Sequence, residues 1–319
     1  MPDVSVIIPT YNRRERLEQA IASCFDGNEA LDIEVIVVDD GSTDGTQVWM
    51  ESLDDERITY LRQENQGAPV ARNRGLEEAQ GEFLKFLDDD DWLTSGGLSE
   101  EVRVLSESGA GISSGNIRVL KEGQEEHVLD TEPAPDLVSG IFKGAVTTHT
   151  HRFLYRREVV EEITWDPSLR YHQDTDFAVR VASTGVPAIS VDHVVGILNH
   201  HEGLRITTQV KRPEPHAELI RRRVSTIKMG VERLKQHDTL QKHHRMAAAE
   251  GIWRWAHMSA AYDLKCFRDC MEVLQGIAPG FSPPRASVGL SLMDEAMGPS
   301  ITERFLFPFR WVKFQMTAR

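Results

Sequence analysis

The chain has 319 residues, 40% of them hydrophobic, and a formal net charge of −14. That length supplies one large domain and a smaller second one, and the excess of acid excludes a chain built as a whole to attract nucleic acid. Three cysteines, Cys24, Cys266 and Cys270, are too few and too scattered for a disulfide framework and suggest a reducing cytosol.

Met1-Pro2-Asp3 lacks the basic start of a signal peptide, and Val4–Ile8 is too short for its apolar core. No stretch approaches the roughly 18 apolar residues of a membrane span. Both features predict a cytoplasmic protein that touches a membrane at most peripherally, at its inner face.

Val4–Ile8 is a β-branched run ended by Pro9, the pattern of a buried strand. A helix follows over 14–25, with Leu17, Ile21 and Cys24 or Phe25 on one face. Ile33–Val38 is the second strand, stopped by Asp39-Asp40-Gly41. Ser42, Thr43 and Asp44 supply caps for a helix through Trp49 and Met50. Ile58–Leu61 is a third strand, Ala68–Ala79 a helix, and Gly81 opens a fourth strand over Phe83–Leu87. Alternating apolar strands and helices predict an α/β fold, a mostly parallel sheet with helices on both faces. Ligands of such sheets sit beyond the carboxyl ends of the strands. Thr10-Tyr11-Asn12, Asp39-Asp40 and Asp88–Asp91 all follow strands, so three polar clusters converge on one edge.

Further strands are expected at Gly111–Leu120, His127–Leu129 and His193–Leu198, with His149 and His151 alternating in the segment 147–156. From Lys211 helical patterns dominate, over Ala217–Leu234 and Met246–Leu274. Cys266 and Cys270 share a helix face there, with no further cysteine or nearby histidine to complete a zinc set, and read as buried thiols. A boundary near residue 210 divides the chain into 1–210 and a mainly α-helical extension, 211–319.

The acidic run Asp88–Asp91 lies between an apolar stretch and Trp92. Like charges this close repel and need a neutraliser. Oxygen ligands at this density suit Mg²⁺ or Mn²⁺, which would in turn grip a diphosphate; the alternative is a solvated acidic turn.

Four segments together resemble family 2 glycosyltransferases of the GT-A fold: Val4–Asn12, Val37–Asp44, Ala71–Gly75, and Gly81 through Asp88–Asp91 to Trp92. Order and spacing agree over the first ~100 residues, and a looser likeness runs to about residue 205. The resemblance implies a nucleotide-diphosphate sugar donor (uridine- or thymidine-linked), a glycan or lipid-linked acceptor, a divalent metal, and transfer with inversion. Pro9, Thr10, Tyr11 and Asn12 fall on the nucleotide-binding segment, where a tyrosine ring can stack on the base. Asp40 matches the acceptor for the base imino group. Asp39 and Asp44 are equally turn and cap residues. Arg72 meets the base or phosphates, or else forms a surface ion pair.

Asp88 and Asp90 match the outer aspartates of the family's D-x-D motif. Asp90 is the implied direct metal ligand, and Asp88 binds ribose hydroxyls, metal or both. Asp89 takes the variable middle place, and Asp91 coordinates through water or holds the loop. Asp174 matches the catalytic base, although Gln173 replaces the usual acid before it; Asp176 is its rival, and a helix cap is the competing role. His201 is a candidate phosphate or metal ligand. His149, His151 and Arg152 either line an acceptor pocket or stand half-exposed on a strand.

A haloacid-dehalogenase-like reading fails because Gly41 stands where a second aspartate is needed, and dinucleotide binding is weak because no G-x-G-x-x-G follows the first strand. A nucleotide-sugar-binding protein without catalysis is the remaining rival, against which Asp88, Asp90 and Asp174 speak. The tail Phe305–Phe314 mixes aromatic and basic residues, which suits a lipid interface, a cap on the core, or a contact between two copies of the chain.

Overall fold

The computed structural model describes residues 1–121, 126–129, 136–200, 213–260, 263–283 and Leu306. The chain divides into two compact units. One comprises 1–132, 146–182 and 186–203; the other comprises 133–145, 183–185 and 204–319.

The first unit opens with β1 (Val4–Thr10), α1 (Arg14–Phe25), β2 (Ile33–Asp39), α2 (Thr46–Glu51), β3 (Ile58–Arg62), α3 (Ala68–Glu78) and β4 (Phe83–Phe86). It continues with β5 (Trp92–Leu93), α4 (Gly97–Ser108), β6 (Ile112–Lys121) and β7 (His127–Leu129). After α5 (Leu137–Lys143), which belongs to the second unit, come β8 (Phe153–Arg156), α6 (Arg157–Val160), α7 (Gln173–Ala182) and β9 (Ala188–His200).

The strands form one sheet in the order β3-β2-β1-β4-β8-β6-β9-β5, with β7 on β6. β3, β2, β1 and β4 are mutually parallel. β8 runs antiparallel to both β4 and β6, while β6 and β9 are parallel. The parallel half is the half whose strands read as unbroken apolar runs, because helices cover both of its faces.

Alternation along β1 separates those faces. Val4, Val6 and Ile8 share a core with Val35 and Val37 of β2, with Leu17, Ala20, Ile21 and Cys24 of α1, and with Leu98 and Leu105 of α4. Burial pushes the Cys24 thiol up to about 12, so it is a core thiol, not a reactive one. On the opposite face Gly75 of α3 sits against the sheet; a Cβ there would lie 2.4 Å from Ile7 Cγ2. Phe86, in register with Ile7, meets Trp165 and Phe177 edge-on, and these two rings stack with centroids 4.2 Å apart. This aromatic cluster docks α7 onto the sheet. Inside the same unit Lys85 of β4 and Glu101 of α4 form a fully buried ion pair, and Ser113 Oγ also donates to Glu101.

Residues 147–152 depart from the expected strand. Thr150–Arg152 form a 3₁₀ turn, and His151 is fully buried, not half-exposed.

In the second unit α8 (Pro213–Gln236), α9 (Lys242–Ser259) and α10 (Leu264–Ile277) are joined by α5. The expected single helix over 246–274 is broken into α9 and α10, because the Asp263 side chain accepts from Cys266 N and caps a new start. Cys266 and Cys270 are buried on one face of α10, as expected. Asp136 caps α5 through Ser139 N, and its Oδ2 also lies 2.6 Å from His243 Nε2 and 2.7 Å from His244 Nε2. Because His244 Nδ1 accepts from Gln241 N, its Nε2 carries the proton and donates to Asp136. One carboxylate thus staples the starts of α5 and α9. Among the described residues no helix is long and apolar enough to cross a membrane. The tail 307–319 and His201 lie outside the described residues, so the readings placed on them are not addressed by the structure.

Candidate active site

The loops that follow β1 and β2 are laced together. Asn12 takes a left-handed φ of 53°, a conformation Asn tolerates better than most residues. Its N–H donates to Ser42 Oγ, and its Oδ1 accepts from Thr43 N. Asp44 accepts from Arg14 N and from Thr46 N and Oγ1, bonds that outweigh its desolvation and hold its carboxyl below the usual range. Asp39 is fully buried and accepts from Ser42 N and the Tyr60 hydroxyl. Asp39 therefore holds the turn after β2, while Asp44 ties the start of α1 to that of α2, whose N-cap position is Gly45 and not Asp44 as expected.

Asp40 accepts at Oδ1 from Gln63 Nε2 and Gln66 N, and at Oδ2 from Gly67 N, each at 2.8 Å. It fastens the loop entering α3. Three bonds leave a carboxylate with acceptor capacity for a further donor. Pro9 and Thr10 end β1, Thr10 buried, while the Tyr11 side chain is 48% exposed beside them.

The acidic run follows β4, next to the end of β1. Each of its members has a protein partner, so part of the neutralisation that the sequence calls for comes from arginines and backbone or hydroxyl donors of the chain itself. Asp88 Oδ1 pairs with Arg72 Nη2 at 2.6 Å. Asp89 pairs with Arg13 Nη1 at 2.9 Å and accepts from Thr10 Oγ1 at 2.8 Å. The same Arg13 nitrogen lies 2.9 Å from Asp90 Oδ2. Asp91 accepts from Asn199 N at 3.0 Å and faces His151 Nδ1 at 3.3 Å. Burial holds His151 well below its ordinary pKa, so the ring is neutral.

Exposure sorts the four. The Asp88 and Asp90 side chains are 35% and 15% exposed, whereas Asp89 and Asp91 are 6% and 5%. The outer pair of the D-x-D is the open pair. Burial pushes the Asp89 carboxyl up to about 6, with Arg13 acting against the shift. Burial lowers the Arg13 pKa, but Asp89, Asp90 and Asp88 together raise it further.

Arg13 was not singled out by the sequence. Its partners lie 76 and 77 positions away, and only its place three residues beyond a strand end, in PTYNRR, hints that it could face the acid.

Arg72 is buried, not a surface ion-pair residue. Its guanidinium lies 4.5 Å above the Trp165 ring, pairs with Asp88, and donates from Nη1 to Gln173 Oε1 at 3.0 Å. Gln173 Nε2 donates back to the carbonyl of Leu169 at 3.0 Å. Gln173 starts α7, so Arg72 links the acidic run to the residue preceding Asp174 in the first turn of that helix. Asp176 is committed to Arg180, at 2.5 Å, within the same helix.

Residues 5–164 match the sequence profile of glycosyl transferase family 2, and the chain belongs to that family. It is 45% identical over 127 residues to the GalNAc(5)-diNAcBac-PP-undecaprenol beta-1,3-glucosyltransferase of Campylobacter jejuni, covering 39% of this chain and 40% of the relative. The matched segment spans about half the length of the curated relatives. Among solved structures the fold is similar to S. aureus TarS 1-349 in complex with UDP-GlcNAc, at 18% identity and a TM-score of 0.59, covering 86% of this chain and 90% of that one. It is also similar to the mannosyltransferase PcManGT of Pyrobaculum calidifontis in complex with GDP-Man and Mn²⁺, at 19% identity and a TM-score of 0.51, over 96% and 86% of the two chains. The sheet is that of the GT-A glycosyltransferases, accompanied by a helical C-terminal part.

Proposed function

We propose that the chain transfers a glycosyl group from a nucleoside-diphosphate sugar to a hydroxyl of a glycan or lipid-linked acceptor, with inversion at the anomeric carbon. The observation that carries this reading is the open outer pair of the acidic run, Asp88 and Asp90, set beside the end of β1. The donor and catalytic chemistry belongs to residues 1–210. A uridine or thymidine donor is supported by Asp40, whose spare acceptor capacity suits an imino N–H, and by the open Tyr11 ring. The relative named for an undecaprenol-linked glycan supports a lipid-linked acceptor.

The carboxylate donors of Asp88 and Asp90 fit a hard cation such as Mg²⁺ or Mn²⁺. Held there, such an ion would neutralise charge on the departing diphosphate. The chain's own residues do the rest. Asp88 and Arg72 keep the edge of the donor site in place through their 2.6 Å pair. Asp174 takes the proton of the acceptor hydroxyl as its oxygen bonds to the anomeric carbon. The carbon–oxygen bond to the diphosphate breaks on the opposite face, and the electron pair leaves with the nucleoside diphosphate.

Asp174→Asn tests the assignment. Transfer should fall about 10²- to 10⁴-fold while nucleotide binding holds. Unchanged turnover would remove Asp174 as the base, and a wild-type chain that binds donor but never turns it over would favour the non-catalytic reading.

A further inference from the structure

Arg13 places a fixed positive charge among the carboxylates, one nitrogen shared between two of them. Nη1 lies 2.9 Å from Asp89 Oδ1 and 2.9 Å from Asp90 Oδ2. The two contacts are equal in length and unequal in environment. The Asp89 side chain is almost sealed from water and is also held by Thr10; stripping a buried carboxylate of its cation is strongly unfavourable. Asp90 is more open, and water competes for an ion pair there. Arg13 therefore has one partner it keeps and one it can release.

The other arginine at the site is not free to do this. The Arg72 side chain is 7% exposed and is pinned by Gln173 and the Trp165 ring. The Arg13 side chain is 34% exposed and has solvent to move into.

We propose that Arg13 is the resident counter-ion of the metal-free acidic loop, and that it keeps Asp89 but gives up Asp90 when a divalent cation binds. The inference rests on the metal-dependent reading above and deepens it. The Asp90 oxygen that Arg13 holds is an atom the incoming ion has to win. Arg13 thus weakens the apparent metal affinity and prevents the run from standing as unbalanced charge when no metal is present.

The test is Mn²⁺ binding to the full chain, read as free Mn²⁺ by electron paramagnetic resonance, with saturating UDP at pH 8. Arg13→Gln should bind Mn²⁺ about fivefold tighter or more than wild type, since a competing charge a few ångströms away is gone. Its metal-free melting temperature should be lower by several degrees, and the gap should narrow once Mn²⁺ is bound. Where Arg13→Gln fails to fold, Arg13→Lys decides. Its shorter reach serves the buried Asp89 and leaves Asp90, so a tightening of about twofold or more is expected. Mn²⁺ affinity equal to or weaker than wild type overturns the role of Arg13 and leaves the metal reading standing. No Mn²⁺ uptake by wild type or either variant overturns both.

Discussion

At the scale of single residues, Gln173 shows how one side chain ties the site together. Its Oε1 accepts from Arg72, and its Nε2 donates to Leu169 O. An amide can do both, while a carboxylate could not donate to a carbonyl. The acid expected at this position from the family resemblance is thus replaced for a local reason, and Arg72 is left with one carboxylate partner, Asp88. Gln173→Ala removes the bond to a charged, buried guanidinium and should cost about 1–3 kcal/mol in urea denaturation. It should lower turnover more than nucleotide affinity, because the residue sits beside Asp174. A variant as stable and active as wild type would show that the link between Arg72 and α7 is incidental.

The same residues show what the sequence does and does not disclose. The position of the acidic run was legible, because its four aspartates close the apolar strand β4. Their arginines were not, since Arg13 and Arg72 reach them only through the fold, and Arg72 meets Gln173 across 101 positions. The burial of His151 is hidden in the sequence for a related reason. Alternation with His149 resembles a half-exposed strand, but the 3₁₀ turn aims the ring inward to Asp91.

At the scale of elements, β1 to β4 and the first three helices were legible to within about two residues, whereas β5 and α4 were not foreseen and β9 begins before the expected His193. A parallel strand covered on both faces is written as an unbroken apolar run, and its ends are marked by the polar residues that form the site. The break between α9 and α10 was not legible, because the apolar spacing continues across it while the Asp263 side chain caps a new start. Nor was the pairing that braces β4, the strand that presents the acidic run. Lys85 stands inside an apolar strand and reads as a surface residue, yet it is matched by Glu101 of α4 in a dry interior. Removing one member of such a pair strands the other charge. Glu101→Ala should therefore destabilise the chain by about 3–5 kcal/mol, measured by chemical denaturation, far more than an exposed pair such as Arg103–Glu107 would. A loss of under about 1 kcal/mol would mean the interior is wet at that point.

At the scale of the whole molecule, the proposed function asks a chain of net charge −14 to bind a diphosphate. The overall field does not decide this, because salt screens charges beyond about 10 Å. Local balance does. Arg13, Arg62, Arg72 and Arg74 all lie on the loops and helix at the carboxyl edge of β1, β2 and β3, but Arg13 and Arg72 are already spent on the aspartates. Arg13 and Arg72 hold the acidic run together, and on the proposed reading a divalent ion supplies positive charge for the incoming diphosphate. The proposed function therefore predicts that nucleotide binding and divalent metal binding are coupled.

Isothermal titration calorimetry of the full chain with UDP, with Mn²⁺ and again with EDTA, measures that coupling directly; GDP and dTDP serve as comparisons for the base. The account predicts UDP or dTDP binding that is strengthened at least about tenfold by Mn²⁺ and is lost in Asp90→Ala. Nucleotide affinity that is identical with and without metal, or that is absent for every nucleoside diphosphate tried, would contradict it.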